Sequence, residues 1–311
     1  MKEDSFPSNN RIACIINPYA ANKKWIRNRL VRNYIKKNIH GKITAIPKNK
    51  EYTIQTAKKF CEDSDCIIVA GGDGTIADVI QGIMESGKNR DVTLGIIPLG
   101  SGNAFRISLN IPLSIRRALK IIKQGRTKEI DLIKINSNYA SFGSVGATAQ
   151  VLVEKSKTKI PGFLGHILAA RIMLRLSRKE QKIELLQVLD DKGAHFDRKD
   201  LTLKVFDGII GKSKHFGYGW KIAPKAELDD GYIDMTFFEI SNLKFFLFFP
   251  SIYFGTFQKT QKHFKAKKIT IKGKRLPVQY NGELLGKTDS VEISILPKAL
   301  KVFTPLGHRK S

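Results

Sequence analysis

Cysteine, acidic residues and long apolar runs are scarce in this chain, and each scarcity removes a class of protein. Three cysteines, Cys14, Cys61 and Cys66, in 311 residues are too few, and odd in number, for a disulfide framework. A reducing, cytoplasmic setting is therefore the expectation. The 28 acidic residues stand against 54 Lys and Arg, a formal net charge of +26. That imbalance favours phosphate-rich ligands, nucleic acid or an anionic membrane surface, and says nothing about fold. No apolar run reaches the ~18 residues of a membrane span, and the opening MKEDSFPSNN lacks the apolar core of a secretory signal. The six histidines are scattered without metal-ligand spacing. Common nucleotide signatures are missing too. No GxGxxG is present, and Gly211-Lys212-Ser213 lacks the glycine a Walker loop needs five residues earlier, where Phe206 stands. Without a helix-turn-helix, zinc or RNP-like motif, nucleic acid is not an expected partner.

What the chain does have is a glycine-rich turn in a telling place. Cys66 to Ala70 is short, β-branched and without alternation, the pattern of a strand buried on both faces. Ile76, Val79, Ile80 and Ile83 then recur at helical spacing, with Thr75 as the expected cap. Gly71, Gly72 and Gly74 lie between the two. Unpaired backbone N–H groups and the positive end of a helix dipole make such a turn an anion site, and glycine lets a phosphate approach the backbone. Asp73 repels phosphate unless a cation lies between. A Mg²⁺-bridged nucleotide, or a carboxylate that takes a proton from an attacking hydroxyl, resolves the conflict. A plain strand-to-helix turn with an exposed Asp is the alternative.

Around this turn the order of elements is regular. Strands at Ile12–Ile16, Ile43–Ile46, 66–70 and Leu94–Ile97 alternate with helices at Trp25–Lys37, Thr53–Phe60, 75–83 and Ser114–Lys123. The reading is a parallel-sheet α/β domain over residues 1–128, whose ligands collect beyond the carboxyl ends of the strands. Three such ends carry loops: NPYAANKK from Asn17, the glycine turn, and PLGSGNAF from Pro98. From about residue 129 short alternating runs such as LTLKVFDG and SVEISILP predict an antiparallel β-sandwich domain over 129–311, the last residues returning to the first domain. One long helix, Gly165 to Leu186, is expected to interrupt it.

Taken together, NPYAANKK, GGDGTIADVIQG, LGIIPLGSGNAFRISLNIP, IAPKAELDDGYID and NGE resemble the diacylglycerol kinase catalytic family, which includes soluble bacterial lipid kinases and sphingosine kinases. GGDGT alone is shared with NAD kinases. The resemblance implies an ATP site and Mg²⁺. It implies that Asn17, Pro18, Tyr19, Ala20 and Ala21 form a first phosphate-side loop, and that Gly71, Gly72, Asp73, Gly74 and Thr75 hold nucleotide phosphates. Ser101, Gly102 and Asn103 then border the nucleotide, and Thr44 matches a threonine near the adenosine. By the same likeness Glu283 is the proton acceptor, Asp73 faces Mg²⁺–ATP, and Asp230 with the carbonyls of Glu227 and Tyr232 resembles a structural Mg²⁺ site, with an Asp-Gly hairpin without metal as the alternative.

Three departures bear on activity. The family often has aspartate where this chain has Ala104 and Ala147, and its usual Asp-Gly-Glu reads Asn281-Gly282-Glu283. Asn holds neither a proton nor Mg²⁺ as Asp does, so Asn281→Asp is expected to leave activity equal or higher. Ala147 removes a carboxylate that could pair with an amine headgroup, which turns the expectation from a sphingoid base toward a diacylglycerol-like lipid. Seven aromatics between Phe245 and Phe257 suggest a helix kinked at Pro250 that meets acyl chains or the membrane interface. Arg171, Arg175, Arg178 and Lys182 read as one basic stripe on the long helix, and Trp25, Arg27, Arg29, Arg32, Lys36 and Lys37 as a second basic helix, both suited to peripheral attachment at an anionic membrane. Two other readings stay open: a soluble-metabolite kinase of the NAD kinase type, and a nucleotide- and lipid-binding protein that has lost turnover. Neither the oligomeric state nor the exact lipid is legible.

Overall fold

The computed structural model describes residues 11–20, 29–100, 104–157, 160, 168–190, 193–216, 219–223, 226–257 and 261–305. The chain divides into two compact units, one made of Met1–Ile130 with Lys298–Ser311, the other of Asp131–Pro297.

The first unit alternates strand and helix: β1 (Ile12–Ile16), α1 (Arg29–Asn38), β2 (Lys42–Ala45), α2 (Lys50–Phe60), β3 (Cys66–Gly71), α3 (Asp73–Glu85), β4 (Thr93–Pro98), α4 (Ala104–Ser108) and α5 (Ile115–Lys123). β1 pairs in parallel with β2 and with β3, and β3 with β4. Lys301 and Val302 from the end of the chain add a further parallel partner to β4. All residues of β1, β3 and β4 are buried. Each therefore has to be apolar on both faces, which is why they read as unbroken runs. Asn49 and Ser114 cap α2 and α5, each accepting a backbone N–H through its side chain. α3 differs from expectation. It begins at Asp73 behind Gly72 with no side-chain cap, so Thr75 lies inside its first turn.

The second unit is mainly antiparallel. Its elements are β5 (Thr127–Ile135, entering from the first unit), β6 (Asn138–Ala140), β7 (Phe142–Gly146), α6 (Ala147–Ser156), a 3₁₀ turn (Arg171–Arg175), β8 (Lys179–Leu189), β9 (His195–Val205), β10 (Asp207–Gly211), β11 (Ile233–Phe238), α7 (Asn242–Leu247), α8 (Phe249–Tyr253), β12 (Gln261–Tyr280) and β13 (Glu283–Phe303). β12 pairs with β11 at its start and with β7 at its end, so β7, β10, β11 and β12 form a closed ring of neighbours. Its core includes Val145, Ile210, Met235, Phe237, Ile271 and Val278. A second cluster holds Phe206, Phe238, Phe245 and Ile252.

Two expectations are corrected here. The helix read over 165–186 is, among the described residues, a short helical stretch at 168–175 that is followed by a strand. In β8 burial alternates at Gln181, Ile183 and Leu185 while Lys182 faces out, a period of two set by pairing with β9 and β12. Arg171, Arg175, Arg178 and Lys182 consequently do not share one helix face. The aromatic segment forms two short helices broken at Phe248, with Pro250 in the first turn of the second. Proline lacks the N–H a continuous helix would need there. Among the described residues no helix is long and apolar enough to cross a membrane.

Candidate functional site

The carboxyl ends of β1, β3 and β4 meet in the first unit. The Asn17 amide donates to the Ala70 carbonyl at 2.9 Å, and its side-chain Nδ2 donates to Thr75 Oγ1 at 2.7 Å. This second bond joins the NPYA loop to the first turn of α3. Asn17 Oδ1 also accepts from the Tyr19 amide at 2.9 Å, shaping the turn through Pro18 to Ala20. The Leu99 amide donates to the Gly71 carbonyl at 2.9 Å. Glycine is a steric requirement at this junction. A Cβ on Gly71 would lie 2.6 Å from the Thr75 side chain, and one on Gly72 would lie 3.1 Å from the Gly100 backbone.

Asp73 lies at the start of α3 and reaches toward the third loop. Its Oδ2 accepts from the Ala104 amide at 3.0 Å and its Oδ1 from the Phe105 amide at 3.3 Å. Asp73 thus ties the glycine turn to the chain just after 101–103. Ser101, Gly102 and Asn103 themselves, like Ala21, Trp25 and Arg27, lie outside the described residues. Ala104 is buried at the head of α4, where its amide and not its side chain meets Asp73. Arg106, which sequence reasoning passed over, is a neighbouring charge: burial lowers its pKa and the Asp73 carboxylate opposes that shift. Thr44 stands opposite Ile15 in the β1–β2 register, two residues before Asn17 in the neighbouring strand. Backbone amides at a helix N-terminus, a carboxylate and an arginine are together a set that handles phosphate and its counter-ion.

Glu283 belongs to the second unit, directly after the β12–β13 turn. Tyr280 pairs with Glu283, which leaves Asn281 and Gly282 as a two-residue loop with φ of 47° and 83°. That is a type I′ turn, and Asn-Gly is its favoured sequence because both positions need the left-handed region. The Asn281 side chain is buried and uses both ends: Oδ1 accepts from the Ser141 amide at 2.9 Å, and Nδ2 donates to the Tyr139 carbonyl at 3.2 Å. The Asn281 amide is matched to both of these partners. A carboxylate at 281 would set an anion against the Tyr139 carbonyl.

The same turn is held from behind by a buried polar chain. The Gly282 amide donates to Gln279 Oε1 at 2.9 Å, and Gln279 Nε2 donates to Ser144 Oγ at 3.0 Å. Ser144 meets Thr148 Oγ1 at 2.7 Å, and Thr148 meets Asp207 Oδ1 at 3.2 Å. Asp207 is completely buried, and burial pushes its carboxyl up to about 8 against the Thr148 hydroxyl and the amides of Thr148, Gly208 and Ala147. Lys155 on α6 is the nearby charge: burial lowers its pKa and Glu283 raises it. Ala147 is buried in the cluster of Met173 and Phe206 and offers no charge. Nothing in the sequence pattern alone marks Gln279, Ser144 or Asp207. Only the register that sets Gln279 opposite Ser144 brings them together.

The residues expected to hold a structural Mg²⁺ are arranged differently. Asp230 Oδ1 and the Tyr232 carbonyl both accept from the Lys212 ammonium, Asp230 Oδ2 accepts from Lys265, and Glu227 is exposed. Among the described residues no group of three His, Cys, Asp or Glu could hold a metal. The set does not fit an ion beside Lys212.

Comparison with known proteins agrees with this arrangement in both units. Residues 11–135 match the diacylglycerol kinase catalytic domain, and residues 181–304 match the YegS C-terminal NAD kinase beta sandwich-like domain. A diacylglycerol kinase of Staphylococcus saprophyticus is 30% identical over 84% of this chain and 84% of its own length. One from Staphylococcus carnosus is 26% identical over 84% and 83%. The crystal structure of a diacylglycerol kinase from Bacillus anthracis str. Sterne superposes with a TM-score of 0.71 at 20% identity, over 95% of this chain and 97% of that one.

Proposed function

The chain belongs to the diacylglycerol kinase-like lipid kinase family, and from that premise we propose that it transfers the γ-phosphoryl group of Mg²⁺–ATP to the hydroxyl of a diacylglycerol-like lipid. The observation that carries this reading is the junction at the strand ends, where Asn17 bonds Thr75 and both Asp73 oxygens bind the amides of Ala104 and Phe105. Phosphoryl transfer needs positioning and charge neutralisation more than covalent help. The amides at the start of α3 orient the phosphates. Asp73 stands at the head of α3 and is oriented by the amides of Ala104 and Phe105, so its carboxylate would hold a hydrated Mg²⁺, which when bound would neutralise phosphate charge.

The lipid oxygen attacks the γ-phosphorus, the bond to the β-phosphate oxygen breaks, and Glu283 takes the hydroxyl proton. Gln279 is a positioning residue in this scheme, because it fixes the amide immediately before Glu283. Ala147 itself brings no carboxylate to pair with an amine headgroup, which supports a neutral lipid over a cationic sphingoid base. The relatives this chain resembles are diacylglycerol kinases, and the NAD kinase-like alternative is not favoured.

Access to the lipid runs through the α7–α8 face. Leu243, Leu247 and Phe254 expose 72%, 71% and 67% of their surface, and Leu174 stands beside them because Asn242 bonds its carbonyl. Exposed Lys221, Lys244, Arg171 and Arg175 surround them. Such a patch suits peripheral attachment to an anionic membrane. Sedimentation with anionic vesicles tests it: Leu247→Asp with Phe254→Asp should weaken binding about tenfold or more, since burying such side chains contributes about 1.5–3 kcal/mol each. Unchanged binding removes this face from the scheme.

The substrate test is a γ-labelled ATP assay against diacylglycerol, a sphingoid base, ceramide and NAD. Label in phosphatidic acid is expected. Label in phosphorylated NAD alone, or in none of the four, contradicts the proposal.

A further inference from the structure

Lys212 has no surface exposure, and its ammonium is surrounded by oxygen. Asp131 Oδ2 lies 3.2 Å away, and Asp230 Oδ1 and the Tyr232 carbonyl complete the set. The ammonium donates to Asp230 Oδ1 and the Tyr232 carbonyl, with the Asp131 carboxylate at ion-pair distance. The neighbourhood is bound into the same arrangement. Asp131 Oδ2 also accepts from the Gly231 amide at 2.8 Å, and the Asp131 amide donates to the Leu228 carbonyl at 2.7 Å. Asp230 turns its second oxygen to Lys265, and Lys265 lies 3.7 Å from Asp234.

We propose that the Lys212 ammonium is the resident cation of the 227–232 turn, occupying the position a divalent ion would need and making the second unit independent of metal for its stability. Mg²⁺ demands six oxygens in near-octahedral geometry at about 2.1 Å. To bind here it has to displace Lys212, which is then left buried without an acceptor, a costly state for any charge. Charge balance points the same way. Lys212 and Lys265 already neutralise Asp131 and Asp230, while Asp234 faces Lys265 and, at 3.2 Å, His263, and Glu227 also acts on Lys265. The short Gly211-Lys212-Ser213 stretch therefore has a definite task. Its lysine crosses from the end of β10 to close the turn that leads into β11, and no phosphate can reach it.

The inference stands apart from the proposed catalysis, and its test uses the nucleotide-free full-length protein. Thermal unfolding is recorded in EDTA and in millimolar Mg²⁺. For the parent the midpoint is expected to be the same in both. In Lys212→Ser the midpoint in EDTA should fall by several degrees, and Mg²⁺ or Mn²⁺, but not Na⁺, should restore part of the loss. A parent midpoint that drops when EDTA is added overturns the inference. So does a Lys212→Ser midpoint that matches the parent, or one that falls and does not respond to divalent ions. Should Lys212→Ser fail to fold, Mn²⁺ binding to Asp73→Ala decides by electron spin resonance, since that variant lacks the glycine-turn carboxylate. No stoichiometric Mn²⁺ is expected, and one tightly bound ion per chain overturns the proposal.

Discussion

Two aspartates in this chain sit beside glycine at tight turns, Asp73 in GGDGT and Asp230 in DDGY, and as sequence they give the same signal. The surroundings give them different chemistry. Asp73 is held by neutral backbone amides of Ala104 and Phe105, with the Arg106 guanidinium as a neighbouring charge. Asp230 has two ammonium groups on it, from Lys212 and Lys265. Burial opposes the ionisation of Asp230, but these lysines outweigh it and hold its carboxyl below the usual range. At Asp230 two of the chain's own ammonium groups take up the carboxylate. Lys212 reaches it from just after β10, 18 residues earlier, and a local motif cannot report that.

Exchanging the roles of the two aspartates is the strongest test of this contrast. Asp230→Ala should cost stability, about 3 kcal/mol, the low end for breaking a buried ion pair because Asp131 and Asp234 remain. Chemical denaturation measures this, and the fraction still folded should keep its turnover per molecule. Linkage adds a sign. A carboxyl lowered in the folded state contributes stability fully above its ordinary value of 3.8 and loses it as pH falls through the folded pKa. Asp230→Asn should therefore flatten the acid limb of the stability curve. Asp73→Ala should behave in the opposite way. It loses about 10²- to 10³-fold in turnover, the scale of one preorganised polar group at a reacting centre. Its stability should move by only about 1 kcal/mol, as for a lost cap. If Asp73→Ala unfolds the protein while Asp230→Ala abolishes turnover, the contrast is reversed.

Asn281 sharpens the comparison at a third turn. The family's aspartate there suggests lost chemistry, and restoring it was expected to leave activity equal or higher. The bonds to Ser141 and Tyr139 reverse that expectation. Asn281→Asp should lose about 1–3 kcal/mol, the penalty for a buried polar group facing the wrong partner, with turnover no higher than the parent's.

A smaller effect belongs to Asp207, whose carboxyl is raised to about 8. Between pH 4 and 8 (its ordinary and folded values, rounded) the folded state holds a proton that the unfolded state has released. Stability must then fall as pH rises through that window, by at most about 1.4 kcal/mol per pH unit. Asp207→Asn should remove this slope while keeping an acceptor for Thr148. An identical slope in parent and variant, measured by denaturation at several pH values, would show that Asp207 is ionised in the fold.

Much of the first unit was legible because its strands are buried on both faces, so Ile12–Ile16 and Cys66–Gly71 read as unbroken apolar runs, each followed by a loop with obvious chemistry. The second unit was harder. The stretch from Arg171 to Leu186 spaces its basic residues like a helix, yet β8 follows the alternation of Gln181, Ile183 and Leu185, which only its pairing with β9 and β12 makes decisive. Lys212 and Gln279 were invisible because their partners are brought together only by the fold: Asp131 on β5 and the 227–232 turn for Lys212, and Ser144 on β7 for Gln279. Asn281 was legible as a turn former, whereas its bonds to Ser141 and Tyr139 depend on strands that the family comparison does not show.

The central claim is that this chain moves phosphate from ATP to a lipid hydroxyl with Glu283 as the proton acceptor. The measurement that tests it most directly is initial-rate transfer of γ-labelled phosphate to diacylglycerol in mixed micelles by the parent and by Glu283→Gln at equal folded concentration. The expected result is turnover by the parent and a loss of about 10²- to 10⁴-fold in the variant, the usual contribution of a general base. A parent without activity, or a Glu283→Gln rate equal to the parent's, contradicts it.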